Sequence, residues 1–464
     1  MGYATFWRRL SPRQLNVMIQ TLSLVCIFFE GYDQGVMGGV NSSPRYVTEV
    51  GIGEPDGTVT DTTHQGGIVS IYYLGCIFGC FGGGWLADRL GRINGLLVGS
   101  LLALCIPALI LLLFIKMLPD SPRFLASVGR YDEAQQVLNK IRCHRASQSE
   151  IDLEYKEIIA TVQEGKPSSP LQFAKILIGK GGSPGSNLGR RAWLCIWLQI
   201  MASWTGITAV TAYSPVLLRQ AGYSELTQNG LAGGLNTIGI LGTIISTQIV
   251  DRIGRRKCLM LGSTILFVVE LVVSSTRPYN VINSDSKMYP LQAGSVYEAS
   301  LHQPDKASQF APAAVAMLFL FNLGYAATWG TVAFLIPTEI FPSDLRAQGN
   351  GFGITGWAVG VGMTTLVNPI MFASIGSRSY FLLAGLNLLW VPTIYLFYPE
   401  TRNRTLESID YLFSTSGPFY WDMERAFRLC MDGKVEEHVD EQAIKGAGQH
   451  ETQQEFHENI QNRV

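Results

Sequence analysis

At 464 residues the chain is long enough for about three soluble domains, yet only 15% of it is charged, against ~25% in a typical soluble protein. The missing charge is unevenly placed, nearly absent from stretches of about 20 residues and crowded between them, which excludes a conventional soluble enzyme and an intrinsically disordered chain. A net charge of −1 gives nucleic-acid binding no electrostatic support.

A helix crosses a ~30 Å hydrocarbon core with about 20 apolar residues. In chain order the candidate spans are Leu15–Gly38, Gly66–Ala87, Asn94–Ile115, Ala192–Leu218, Gly230–Val250, Cys258–Ser274, Ala311–Ile336, Gly349–Ala373 and Tyr380–Tyr398. These nine define an all-α membrane protein, with three spans before residue 116 and six after residue 190. Segment 39–65 sets Arg45 against Glu49, Glu54, Asp56 and Asp61 and reads as external, as does the weakly charged segment 275–310. Segment 116–191 runs from Lys116 to Arg191 with a strong excess of Lys and Arg, so the positive-inside rule places it in the cytoplasm. Within it, Tyr131–Arg142 puts Ala134, Val137, Leu138 and Ile141 on one face, the pattern of a short amphipathic helix.

The expected organisation is therefore a cytoplasmic N-terminus (1–14), a first bundle (15–115), a cytoplasmic central loop (116–191), a second, six-helix bundle (192–400) and a cytoplasmic tail (401–464). From about residue 432 the tail has the composition of a disordered segment. None of the eight cysteines falls in an external segment, so no disulfide framework is implied, and no metal or cofactor spacing stands out. The six histidines (His64, His144, His302, His438, His450 and His457) lie in loops or tail, away from any catalytic arrangement, so an enzyme is not expected. Asn41-Ser42-Ser43 is a weak glycosylation sequon close to the membrane surface.

A repeat lies in the loops. After the second span comes Asp88-Arg89-Leu90-Gly91-Arg92, and after the fifth Asp251-Arg252-Ile253-Gly254-Arg255. Glycine permits a tight turn there, and Asp and Arg can pair across a bundle. A second echo joins Pro119-Asp120-Ser121-Pro122-Arg123 to Pro399-Glu400-Thr401-Arg402, each where a span enters the cytoplasm. Two pairs in matching positions indicate duplicated halves.

With Gly31-Tyr32-Asp33-Gln34-Gly35 in the first span, and Pro337-Thr338-Glu339-Ile340-Phe341-Pro342 followed by Arg346, these motifs resemble the major facilitator superfamily and, within it, the sugar porter family, over roughly residues 15–410. The long first external loop and Asn368-Pro369 are similar to the fungal branch, which includes lactose-permease-like carriers. The resemblance implies two six-helix halves with substrate bound midway between them. The second half is complete and the first is not: segment 93–118 reads as the start of a third span joined to the end of a sixth, near Leu102–Ile106. Three missing spans with their loops amount to roughly 70–100 residues. Arg89 and Arg92 before segment 93–115, and the cluster after Lys116, both demand the cytoplasm, so one crossing cannot satisfy both flanks. The segment is then re-entrant, topologically frustrated, or the trace of a splicing or gene-assembly product of a longer chain; the last is the favoured reading.

The resemblance also implies roles. Asp33, an acid inside an apolar span, would carry a proton, although the arginine that partners it in the family's fourth span is absent. Where sugar porters carry a glutamine pair and an asparagine in the seventh span, this chain has Ala202-Ser203 and Thr208. Candidate substrate contacts are Gln199, Thr208, Tyr213, Asn236, Trp329, Phe334, Trp357 and Asn368. Asp88, Arg89, Gly91, Arg92, Asp120, Arg123, Asp251, Arg252, Gly254, Arg255, Glu339, Arg346 and Glu400 would form a cytoplasmic gate. The implied function is secondary transport of a sugar or polyol with protons, by a monomer in the plasma membrane and without a cofactor. Transport of another polar metabolite such as quinate, or a non-transporting sensor or inactive isoform, are the competing readings.

Overall fold

The computed structural model describes residues 7–40, 44–54, 59–103, 114–143, 147–164, 170–179, 187–220, 224–275, 304–342, 345–375, 378–404, 409–410, 412–413, 417–425 and 427–428. Asn41, most of segment 275–310 and the tail from residue 429 lie outside these residues, as do the side chains of Asp33, Asp88 and Arg92.

The described chain is helical, with one isolated bridge between Gly53 and Val59 as its extended pairing. Helix α1 (Pro12–Val40) opens with a reciprocal cap: Gln14 N donates to Ser11 Oγ at 3.3 Å and Ser11 N to Gln14 Oε1 at 2.9 Å, with Pro12 in the first turn, where its missing N–H costs nothing. After α2 (Pro44–Val50), helix α3 (Thr62–Leu90) is capped by Asp61, whose Oδ1 accepts from His64 N at 2.9 Å. Helix α4 (Arg92–Ala103) follows directly.

Segment 116–191 folds, among the described residues, as α5 (Pro122–Ser127), α6 (Tyr131–Arg142), α7 (Gln148–Glu164) and α8 (Pro170–Leu177). Helix α6 has the limits read from the sequence and buries Ala134, Val137 and Leu138, with Ile141 packed beside them. That face meets Trp7, Leu15, Leu125 and Ile151 in a cluster beneath α1, and Lys140 Nζ donates to the carbonyls of Trp7 and Arg8, each at 2.8 Å.

The second half holds α9 (Leu188–Ser203), α10 (Ile207–Gln220), α11 (Glu225–Ile253), α12 (Arg255–Ser275), α13 (Pro304–Ala327), α14 (Trp329–Glu339), α15 (Arg346–Ile375) and α16 (Arg378–Phe397). Two of the nine expected spans are interrupted: Ala192–Leu218 breaks at Trp204–Gly206 between α9 and α10, and Ala311–Ile336 at Thr328 between α13 and α14. Among the described residues, four helical runs are long and apolar enough to cross a membrane: Leu226–Ile253, Val315–Glu339 (counted through the turn at Thr328), Gln348–Ile375 and Arg378–Phe397.

The expected span Asn94–Ile115 behaves differently. Helix α4 is described from Arg92 to Ala103, and residues 104–113 of this expected span lie outside the described residues. Ile93 N donates to Asp120 Oδ1 at 3.2 Å, so the two flanks of the segment lie side by side.

The strongest packing runs α3 along α15, α9 along α15, α12 along α16 and α11 along α13. The pairing of α3 with α15, and of α1 with α10, joins the two halves. Helix α9 reaches α15 through small residues: a Cβ on Gly356 would lie 2.4 Å from the Ile196 carbonyl oxygen, and one on Gly360 2.6 Å from Ser203 Oγ. Beyond α16 the chain is held by arginines. Arg191 pairs with Asp410 at 2.6 Å and lies over the Phe413 ring, Arg404 pairs with Glu424 at 2.8 Å, and Arg256 stacks on Tyr420.

Gly356→Val should force α9 and α15 apart and lower stability by about 1–3 kcal/mol. Gly385→Ala on α16, where a Cβ meets nothing within 4 Å, should leave stability unchanged. Thermal unfolding of the purified protein in detergent distinguishes the two.

Candidate functional site

The repeated loops build two matching corners. Gly91, at φ +91°, sits between α3 and α4, and Gly254, at φ +98°, between α11 and α12. Side-chain-bearing residues rarely adopt this backbone, and the space is taken as well. A Cβ at Gly254 would lie 2.5 Å from Glu400 Oε2, and one at Gly91 2.9 Å from Asp120 Oδ1. Each carboxylate sits on the N-terminus of the helix that follows its glycine. Glu400 accepts from Arg255 N at 2.9 Å and Arg256 N at 3.2 Å, while Asp120 accepts from Ile93 N. Helix N-termini offer orphan N–H donors and a positive dipole end, so an acid there satisfies both.

In the second half the corner grows into a network. The Arg255 guanidinium meets Glu339 Oε1 at 2.8 Å through Nη2 and both Glu339 oxygens at 3.2 Å through Nε, and pairs with Asp251 at 3.0 Å. Thr401 Oγ1 donates to Glu339 Oε2 at 2.5 Å. Burial opposes the charge on Arg255, but the Glu339 hydrogen bond and charge outweigh it and raise the guanidinium pKa. Among the other expected gate residues, Arg89, Arg123 and Arg252 are exposed, and Arg346 opens α15 with its Nε buried and without a hydrogen-bond partner among the described residues.

A second polar set lies in the apolar interior, where α9, α10 and α15 meet α3. Thr364 Oγ1 donates to Thr208 Oγ1 at 3.0 Å, and Tyr213 Oη donates to the Thr365 carbonyl at 2.9 Å. Across the seam between halves, Ser70 Oγ on α3 lies 3.2 Å from Thr365 Oγ1 and donates to the Gly362 carbonyl at 3.0 Å. Trp357 is half-buried and meets Tyr73 edge-on, with ring centroids 5.6 Å apart. Asn368 is buried on the same helix, and Gln199 Nε2 donates to the Ala333 carbonyl at 2.9 Å.

Five of the eight candidate substrate contacts, Gln199, Thr208, Tyr213, Trp357 and Asn368, thus lie on α9, α10 and α15. The other three do not join them. Trp329 is fully buried and donates from Nε1 to Ser263 Oγ on α12 at 3.1 Å, while Asn236 and Phe334 are exposed. Sequence reasoning missed Ser70, Thr364 and Thr365. Hydroxyls side by side in the apolar run of α15 were the available signal.

A family model described as "Sugar (and other) transporter" matches residues 19–105 and 100–413. The galactose-proton symporter of Escherichia coli (strain K12) is 28% identical over 409 residues, covering 85% of this chain and 74% of that protein. The sugar transporter STL1 of Saccharomyces cerevisiae is 28% identical over 325 residues, covering 70% of this chain and 51% of STL1, so the chain spans about half of that relative's length. Among solved structures, the proton:xylose symporter XylE of the major facilitator superfamily, bound to 6-bromo-6-deoxy-D-glucose, superposes with a TM-score of 0.63, covering 86% of this chain and 99% of that one. At 16% identity this is a likeness of fold.

Removing one partner of the Arg255–Glu339 pair should expose the strength of the network. In a double-mutant cycle of Arg255→Met and Glu339→Gln on the purified protein, unfolding should return a coupling of about 1.5–3 kcal/mol, the range of charge-assisted hydrogen bonds.

Proposed function

The chain belongs to the sugar transporter family, within the major facilitator superfamily, and from that premise we propose that it carries a sugar or related polyol across the plasma membrane with protons, by alternating access between its halves. The observation that carries this reading is the polar seam Thr208–Thr364 and Tyr213–Thr365–Ser70, which sets hydroxyls from both halves together inside an apolar interior. Hydroxyl and amide groups in such a place suit a polyhydroxylated substrate. The names of the relatives support proton symport, since the Escherichia coli protein is a galactose-proton symporter and the structural neighbour a proton:xylose symporter.

In this reading Gln199, Thr208, Tyr213, Trp357 and Asn368 contact substrate. Asp33 in α1 takes up the proton, and the corners at Glu400 and Asp120 hold the cytoplasmic ends while the halves rock. A second reading, transport of another polar metabolite such as quinate, draws on Ala202-Ser203 standing where sugar porters carry glutamines, and on the Gln199 amide being engaged by the Ala333 carbonyl.

The chain is also a shortened carrier with impaired transport. The family model matches it in two pieces that overlap at residues 100–105, the stretch where the sequence reads as two spans joined, and this supports the loss of internal helices.

Uptake of labelled sugar in cells lacking their own carriers tests both points. The chain should take up far less than a version with the absent spans restored, and Asp33→Asn in the restored version should cut proton-driven accumulation roughly tenfold, within the usual range of coupling energies. Equal uptake by both versions removes the claim that the missing spans matter. No sugar uptake by the restored version, with quinate uptake instead, selects the second reading.

A further inference from the structure

Glu270 lies deep in α12 and takes no part in the transport path described above. Fifteen residues beyond Arg255, it stands ~22 Å along the helix from the cytoplasmic end, within hydrocarbon, where an ionisable group is costly and functional by default. It is 97% removed from solvent (3% exposed). Its Oε2 accepts from Asn387 Nδ2 of α16 at 2.8 Å, and the same amide nitrogen donates to the Thr205 carbonyl at 3.1 Å. Oε1 faces the break between α9 and α10, where Gly206 holds φ +96° and a Cβ would lie only 2.4 Å from that oxygen. The carboxyl thus links α12, α16 and the very turn that precedes Thr208.

The cavity around it is small and lined by Val210, Val269, Met317, Phe321, Tyr380 and Leu383. Among the described residues, α13 contributes apolar side chains, α16 contributes Tyr380 and Asn387, and no lysine, arginine or histidine lines the space. A bare carboxylate here would have no cation to offset its burial. Two polar atoms nearby, Tyr380 Oη and Asn387 Oδ1, are buried without a hydrogen-bond partner among the described residues. An ionised carboxylate only accepts, whereas a neutral carboxylic acid adds an O–H donor, which the acceptor Asn387 Oδ1 lacks.

We propose that Glu270 is a proton-binding site in the second bundle, separate from Asp33, whose protonated form holds α12 against the α9–α10 break and whose ionised form releases it. The proton forms an O–H bond on the carboxyl and leaves as hydronium when the cavity opens to water, so the cycle needs no further reactant. Like-for-like packing of the uncharged acid against Gly206 would be lost on ionisation, and the two forms would favour different angles between α9 and α10.

The test uses the full chain in lipid vesicles, with no sugar present, so its outcome is independent of the transported substrate. Infrared difference spectra across a pH titration should show a protonated-carboxyl band in the wild type at neutral pH that is absent from Glu270→Gln. Asn387→Ala should shift that band by removing its amide partner, which keeps the proposal testable if Glu270→Gln does not fold. The intrinsic fluorescence of Trp204, taken as the difference from Trp204→Phe, should change with the same titration and stay constant in Glu270→Gln. Identical carboxyl bands in wild type and Glu270→Gln, a band unmoved in Asn387→Ala, or Trp204 emission that titrates equally in both proteins would overturn the proposal.

Discussion

A helix that ends at a membrane surface leaves four backbone groups without partners at each end, and hydrocarbon offers no water to take them. The two glycine corners answer that constraint. Each lets the chain turn from one long helix into the next without a linker, and each presents the new N-terminus to an acid supplied from farther along the chain, Asp120 in one half and Glu400 in the other. In the second half further charged groups gather beside the acid. Arg255 is oriented toward Glu339, and Thr401 completes that carboxylate. In the second half the loop charges Arg255, Glu339 and Glu400 form a bonded network, while Arg89, Arg123 and Arg252 of the same repeated pattern are exposed.

The interior obeys a different economy of space. Helices α9 and α15 approach until Gly356 meets backbone, and beside that contact the α15 hydroxyls bond outward, Thr364 to Thr208 of α10 and Thr365 to Ser70 of α3. Close approach is what makes short polar side chains able to meet, because Thr and Ser reach barely beyond the backbone. The same small residues that tighten the second bundle therefore bring its polar groups into one place, and Ser70 carries the set across to the first half.

Much of this was visible in the amino-acid order. Apolar runs mark helices whatever their partners, so the long helices were legible, and the strong amphipathic period of Tyr131–Arg142 placed α6 to the residue. The repeated Asp-Arg-x-Gly-Arg loops showed the corners, though not that Asp120 and Glu400 serve as caps, since the helix ends they cover lie far away in sequence. Breaks inside apolar runs were hidden. Hydropathy continues smoothly through Trp204–Gly206 and Thr328, and the turns there are fixed by contacts with other helices. Side-chain surroundings were hidden for the same reason: Trp329 is buried against Ser263, while Asn236 and Phe334 are exposed. Glu270 was legible by the rule that singled out Asp33, an acid within an apolar run, and its meaning emerged only with Asn387 and Gly206 beside it.

The contact between Ile93 and Asp120 has one more consequence. It makes the stretch between them a self-closing excursion that departs from and returns to a single point. Helical hairpins added to or deleted from such an excursion leave every later helix pointing as before. The ends of the stretch are thereby tied to each other, so a hairpin restored between them would start and finish at the same corner that Ile93 and Asp120 form now.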